Sequence, residues 1–234
     1  MMKDKIQIIG FDADDTLWVN EPFYRETENQ FCSIMAPYFP ENEANNELFR
    51  TEMQNLEMYG YGAKGFMLSM IETALRISVN KITPQEINQI ISLGKNLLNQ
   101  PIILLEGVET VLQKLHPQYT LILATKGDLL DQERKLKKSG LINYFHHIEI
   151  MSDKHEINYR KLINRLDIEP QDFVMIGNSI KSDILPVINI GVFNRHIRIQ
   201  SHLFHILVCA ERERSFVNHL VCPYSGISPK PPII

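Results

Sequence analysis

An apolar run from Ile6 to Phe11, broken only by Gln7 and Gly10, ends in three carboxylates, Asp12, Asp14 and Asp15, within four positions. The run has the length and β-branched content of a buried strand. Carboxylates crowded at a strand end repel one another and resist desolvation, so they add nothing to the stability of a fold. A cation is expected beside them, most simply a metal ion. In open α/β sheets the carboxyl ends of strands are also where ligands bind.

After this strand the β signal disappears for about eighty residues, a length set by the breaks described next. Asn20-Glu21-Pro22 reads as a helix start, and apolar residues then recur at helical spacing, as in Phe31, Ile34 and Met35 or Phe66, Met67, Met70, Ile71 and Leu75. Breaks fall at Pro37 to Pro40, at the glycine-rich Tyr59 to Gly65, and near Asn80 to Pro84, where Thr83 caps a helix running through Leu98. Strand and helix alternate afterwards. Helices are predicted over Val108 to Leu115, Leu129 to Ser139 and Asn158 to Leu166, and strands over Tyr119 to Ala124, Ile148 to Met151 and Phe173 to Ile176, with Ile190 to Phe193 as a last core strand. The alternation predicts an α/β fold, a doubly wound, mainly parallel, Rossmann-like sheet with an inserted all-helical domain. The expected boundaries are 1–17 and 102–194 for the α/β core, 18–101 for the helical insert, and 195–234 for a tail of different character.

Composition narrows the classes. The chain has 234 residues, 44% of them hydrophobic, which excludes a wholly disordered protein. A net charge of −4 argues against a nucleic-acid binder. Cys32, Cys209 and Cys222 form no CxxC pair, so thiols in a reducing compartment are expected rather than a disulfide framework. The amino terminus lacks a secretory pattern, and the late apolar run around Leu203 to Ala210 is too short to span a bilayer. The expectation is a cytoplasmic protein with no membrane or nucleic-acid partner.

Four polar clusters follow four predicted strands: Asp12/Asp14, Thr125/Lys126, Lys154, and Asn178/Asp183. Parallel strands bring such ends into one crevice, and together the clusters offer a nucleophile, a hydroxyl with helix-start N–H groups, a cation and a metal ligand. Phosphoryl transfer needs each of these. The order Asp12-x-Asp14-x-Thr16, then Thr125, Lys154, and Gly177-Asn178-Ser179 with Asp183, resembles the haloacid dehalogenase superfamily over residues 6 to 193. The helical insert is similar to that superfamily's helical cap.

The resemblance implies roles. Asp12 would be the nucleophile and form an aspartyl-phosphate, and Asp14 the acid and then the base. Thr125 would hold phosphate oxygens and Lys154 would neutralise charge. Magnesium would be held by the Asp12 carboxylate, the Asp14 carbonyl and Asp183. Lys126, Asn178 and Ser179 would bind phosphate or support those that do. The chain departs from the pattern twice, with Asn178 where Asp is frequent and Lys126 where Asn is frequent. Retention of both Asp14 and Asp183 points to phosphoryl rather than dehalogenase chemistry, on a small phosphorylated metabolite. A phosphomutase, a phosphonatase with Lys64 as its imine-forming lysine, and a degenerate phospholigand-binding protein are the alternatives.

Other residues have simpler expectations. Asp15 reads as a turn residue, Trp18 and Pro22 as hinge or cap packing, and Met67 and Met70 as core. Tyr59, Tyr61 and Lys64, among glycines, either close over the substrate or form an ordinary helix connection. The tail, with its histidines and Ser/Pro-rich end, lacks paired zinc-ligand spacing and reads either as diverged or as the product of a frame change. A monomer or a homodimer is expected.

Overall fold

A computed structural model describes residues 6–192, so the tail from 195 onward, including Cys209 and Cys222, lies outside the described residues. Among them are four strands, β1 (Ile8–Phe11), β2 (Thr120–Lys126), β3 (His147–Met151) and β4 (Phe173–Ile176). All pair in parallel, in the spatial order β3-β2-β1-β4. The strand that opens the chain is therefore central, flanked by strands that follow more than a hundred residues later.

Alternation along the strands explains the two layers around the sheet. Ile9 and Phe11, Leu121 and Leu123, and Val174 and Ile176 point to one face. There they meet Val108 and Leu112 of α5 (Val108–Leu115) and Leu136 of α6 (Leu129–Ser139). Ile8, Ile122, Ala124, Phe173 and Met175 point to the other face. They pack on Tyr159, Leu162 and Ile163 of α7 (Glu156–Leu166) and on Val187 of α8 (Leu185–Asn189). Period-two strands buried on both faces under helices are what a doubly wound parallel sheet requires. At Gly10 the backbone passes so close to Phe173 that a Cβ would sit 2.7 Å from its ring.

Four helices, α1 (Glu21–Met35), α2 (Glu41–Tyr59), α3 (Ala63–Ile77) and α4 (Pro84–Leu98), fill the segment between β1 and β2. They bury a cluster of their own, with Phe31, Met35, Leu48, Phe66, Met70 and Ile90 inaccessible or nearly so. Local chemistry sets their ends. Thr83 accepts from the Glu86 amide while the Glu86 carboxylate accepts from the Thr83 amide, a reciprocal cap at the start of α4. Asp15, in a left-handed turn at φ 57°, accepts from the amides of Asn20 and Glu21 and so caps α1.

The chain leaves and returns to the sheet layer along one seam. Val19 N–H donates to Ile103, Leu105 N–H donates to Leu17, and Trp18 lies opposite Leu104. Trp18 is fully buried there.

The last expected strand does not form within the described residues. Ile190 and Val192 are buried against the sheet, but Gly191 turns at φ 91°. Its N–H bonds to Ile188 and that of Val192 to Val187, so these residues finish α8 instead of extending. No described helix is long and apolar enough to cross a membrane.

Candidate active site

Register puts the site on one rim. Phe11 lies opposite both Leu123 and Ile176, so the residues following β1, β2 and β4 emerge together at the carboxyl edge of the sheet. Asp12 is anchored there by its N–H, which donates to the Ile176 carbonyl at 2.8 Å. Thr125 and Lys126 end β2, and Lys154 follows β3 after a short loop.

At the centre is a buried ion triad. The Lys154 ammonium lies 2.5 Å from an Asp12 oxygen and 2.6 Å from an Asp183 oxygen, and all three side chains are almost wholly buried. Burial alone would lower the Lys154 pKa, but Asp12, Tyr159 and Asp183 outweigh it and hold the ammonium well above the ordinary lysine value. Asp12 is raised to about 7, first by burial and then by Asp183, against the pull of Lys154. One ammonium shared by two buried carboxylates leaves a negative charge over. Thr16, in the turn after β1, places its hydroxyl 3.4 Å from the second Asp12 oxygen.

Asp183 is set by a π-helical turn, Ile180–Ile184, that runs directly into α8. Its second oxygen accepts from the Ser179 amide at 2.9 Å, and the Ser179 hydroxyl accepts from Ser182 N–H. Tyr159, inaccessible on α7, donates to the Ser182 carbonyl at 3.0 Å and so braces the same turn. Gly177 is required here, because a Cβ would come within 2.2 Å of the Asp183 carboxylate. Asn178, by contrast, is exposed.

Asp14 occupies a separate network. Trp18 Nε1 donates to it at 2.7 Å, Gln132 Nε2 at 2.8 Å, and the Lys135 ammonium lies 3.0 Å and 3.2 Å from its two oxygens. Lys135 also donates to Asn20, where α1 begins, at 2.9 Å. The carbonyl oxygen of the Gln132 side chain is buried without a partner. The acid/base candidate is thus held by the seam and by α6. Gln132 and Lys135 are spaced i and i+3, which puts them on one helix face, the signal that could have revealed this support.

The glycine-rich loop divides by residue. Tyr59 still belongs to α2 and donates to Glu72 on α3, so it faces its own helical neighbours. Lys64 crosses to the core and pairs with both Asp128 oxygens, at 2.9 Å and 3.0 Å. Tyr61 crosses as well: its ring covers the Lys126 ammonium at 4.0 Å. Burial raises the Tyr61 phenol to about 12.

No three His, Cys, Asp or Glu side chains converge as a ready metal cluster among the described residues. Two carboxylates do converge, however, and their unbalanced charge together with an all-oxygen donor set suits a hard divalent cation, provided that main-chain oxygen or water completes its shell.

A family model for haloacid dehalogenase-like hydrolases matches residues 6–191. A solved haloacid dehalogenase-like hydrolase from Xanthomonas campestris is 40% identical, with a TM-score of 0.77 over 80% of this chain and 79% of that one. A hydrolase of the same kind from Bacillus subtilis, solved bound to magnesium, shares the fold at 14% identity, with a TM-score of 0.60 over 81% of this chain and 87% of that one. Among curated proteins, the human N-acylneuraminate-9-phosphatase is 29% identical over 105 residues, and the mouse protein matches equally. That match spans 43% of this chain and 42% of the human protein, less than half of either. The chain belongs to the haloacid dehalogenase-like hydrolases.

Proposed function

We propose that this hydrolase is a magnesium-dependent phosphatase that cleaves a small phosphate monoester through an aspartyl-phosphate on Asp12. The observation that carries the reading is the buried Asp12–Lys154–Asp183 triad at the carboxyl rim of the sheet. The 29% likeness to phosphatases over part of the chain supports it, as does the fold shared with a magnesium-bound relative.

The Asp12 and Asp183 carboxylates and the Asp14 carbonyl would hold the metal. When bound, it would supply positive charge to offset that of the phosphate and the two carboxylates. In the first step an Asp12 oxygen attacks phosphorus, the ester P–O bond breaks, and Asp14 gives a proton to the departing oxygen. In the second, Asp14 takes a proton from water as that water attacks phosphorus, and the bond to Asp12 breaks to release inorganic phosphate. Lys154 stays protonated throughout and fixes the Asp12 oxygen it touches, leaving the other oxygen, beside Thr16, for attack. Trp18, Gln132 and Lys135 all donate to Asp14 and so fix the position of the carboxylate that handles the proton.

The phosphonatase alternative needs a neutral lysine amine in the cap. Lys64 instead donates to both oxygens of Asp128, so its Nζ is engaged by a carboxylate of the core rather than presented to a carbonyl carbon. The deciding experiment is release of phosphate from p-nitrophenyl phosphate with magnesium, with and without chelator, using Asp12→Asn as control. Metal-dependent turnover abolished by the substitution supports the proposal. No turnover with any divalent metal across a broad phosphate panel would overturn it.

A further inference from the structure

The lysines around the crevice differ in what they hold. Lys154 is shared by Asp12 and Asp183, Lys135 pairs with Asp14 and lies 3.7 Å from Asp131, and Lys64 pairs with Asp128. Lys126 has neutral neighbours instead: the Ser182 hydroxyl at 3.2 Å and the Tyr61 ring. Among the described residues no carboxylate lies within ion-pair distance of its ammonium. Asp153, the acid with most influence on it, is already engaged by the Lys154 amide at 2.7 Å and by His155 at 2.8 Å. Burial disfavours the charge of Lys126 and lowers its pKa, and nothing anionic within contact restores it.

Position matters as much as charge. Lys126 follows Thr125 on β2, and successive side chains of a strand point to opposite sides. Its ammonium lies beside Ser182, the neighbour of Asp183, and under the Tyr61 loop of the helical insert; the leaving part of a substrate held at Asp12 would lie between the two layers. Lys154 already serves the nucleophile, so a second, partly buried cation under the loop suits a different group.

We infer that Lys126, roofed by Tyr61, binds a second anionic group on the leaving part of the substrate, and that the enzyme selects phosphate esters carrying such a group over esters of neutral alcohols. The group is a carboxylate or another phosphate, since both present oxygens to an ammonium in the same way. Tyr61 contributes through its ring, which can stay on the ammonium while oxygens approach from the open side. This rests on the phosphatase reading.

The test compares kcat/KM of the full chain with magnesium on three matched compounds: glycerol 3-phosphate, 3-phosphoglycerate, and the bisphosphate of 1,3-propanediol. Wild type is expected to favour one of the two compounds that carry a second anionic group over glycerol 3-phosphate by about tenfold or more, the size of a charge-assisted contact. Which one is favoured identifies the group. Lys126→Met should bring that ratio close to one, mainly through KM, and Lys126→Arg should restore part of it. Absence of any preference in wild type overturns the inference, as does a ratio that survives Lys126→Met while all rates fall together. If p-nitrophenyl phosphate is turned over, only this inference has failed. If neither it nor the three compounds release phosphate, the phosphatase reading has failed with it.

Discussion

The Trp18 indole N–H donates to an Asp14 oxygen at 2.7 Å, from a position where the chain passes between sheet and helical insert. The residue proposed to move protons is thus tied to the residue about which the two layers meet.

Trp18→Phe keeps an aromatic ring at this buried point but removes the donor. It should lower kcat for p-nitrophenyl phosphate by about tenfold with little change in KM, as expected when a polar contact to a reacting group is lost. A thermal melt run in parallel separates this from destabilisation. An unchanged kcat in a folded variant would show that the contact has no part in turnover.

Gly177→Ala places a methyl group where the Asp183 carboxylate now sits. The carboxylate must move, so magnesium activation should require at least about tenfold more metal, consistent with the cost of disturbing a ligand's surroundings. Titration of activity against magnesium checks this, and a wild-type midpoint would sink it.

Glu52, in the helical insert, is raised to about 8 from 4.5 by burial and then by Glu28. Because the folded value lies above the unfolded one, its favourable contribution is complete below pH 4.5 and is lost as pH rises through about 8. Glu52→Gln should therefore melt higher than wild type at pH 8 by a few degrees, on the order of 1 kcal/mol or more, with the gap closing toward pH 5. A constant gap across that range would contradict the assignment.

Lys64 should form no imine. Incubation with phosphonoacetaldehyde and sodium borohydride should leave the intact mass of the protein unchanged. A covalent adduct mapping to Lys64 would revive the phosphonatase alternative.

Much of the site was legible because its parts end strands. Asp12, Thr125, Lys154 and Asp183 each follow an apolar run, and parallel pairing gathers such ends whatever lies between them. Trp18, Gln132, Lys135 and Tyr159 were harder to read, because their contacts depend on how helices dock on the sheet. Tyr59 and Tyr61 look alike in sequence, yet a helix end between them turns one toward Glu72 and the other toward Lys126. Ile190 to Val192 has the composition of a strand, but Gly191 spends those residues on ending a helix.

The seam joining Leu17–Val19 to Ile103–Leu105 has an evolutionary consequence. Because the chain departs and returns at adjacent points, everything between them is a detour that the sheet does not need in order to close. Insertions, deletions and wholesale replacement in that detour leave the register of β1 with β2 and β4 untouched. A lineage with this architecture can therefore rewrite the detour while the rim of the sheet that carries Asp12 keeps its place.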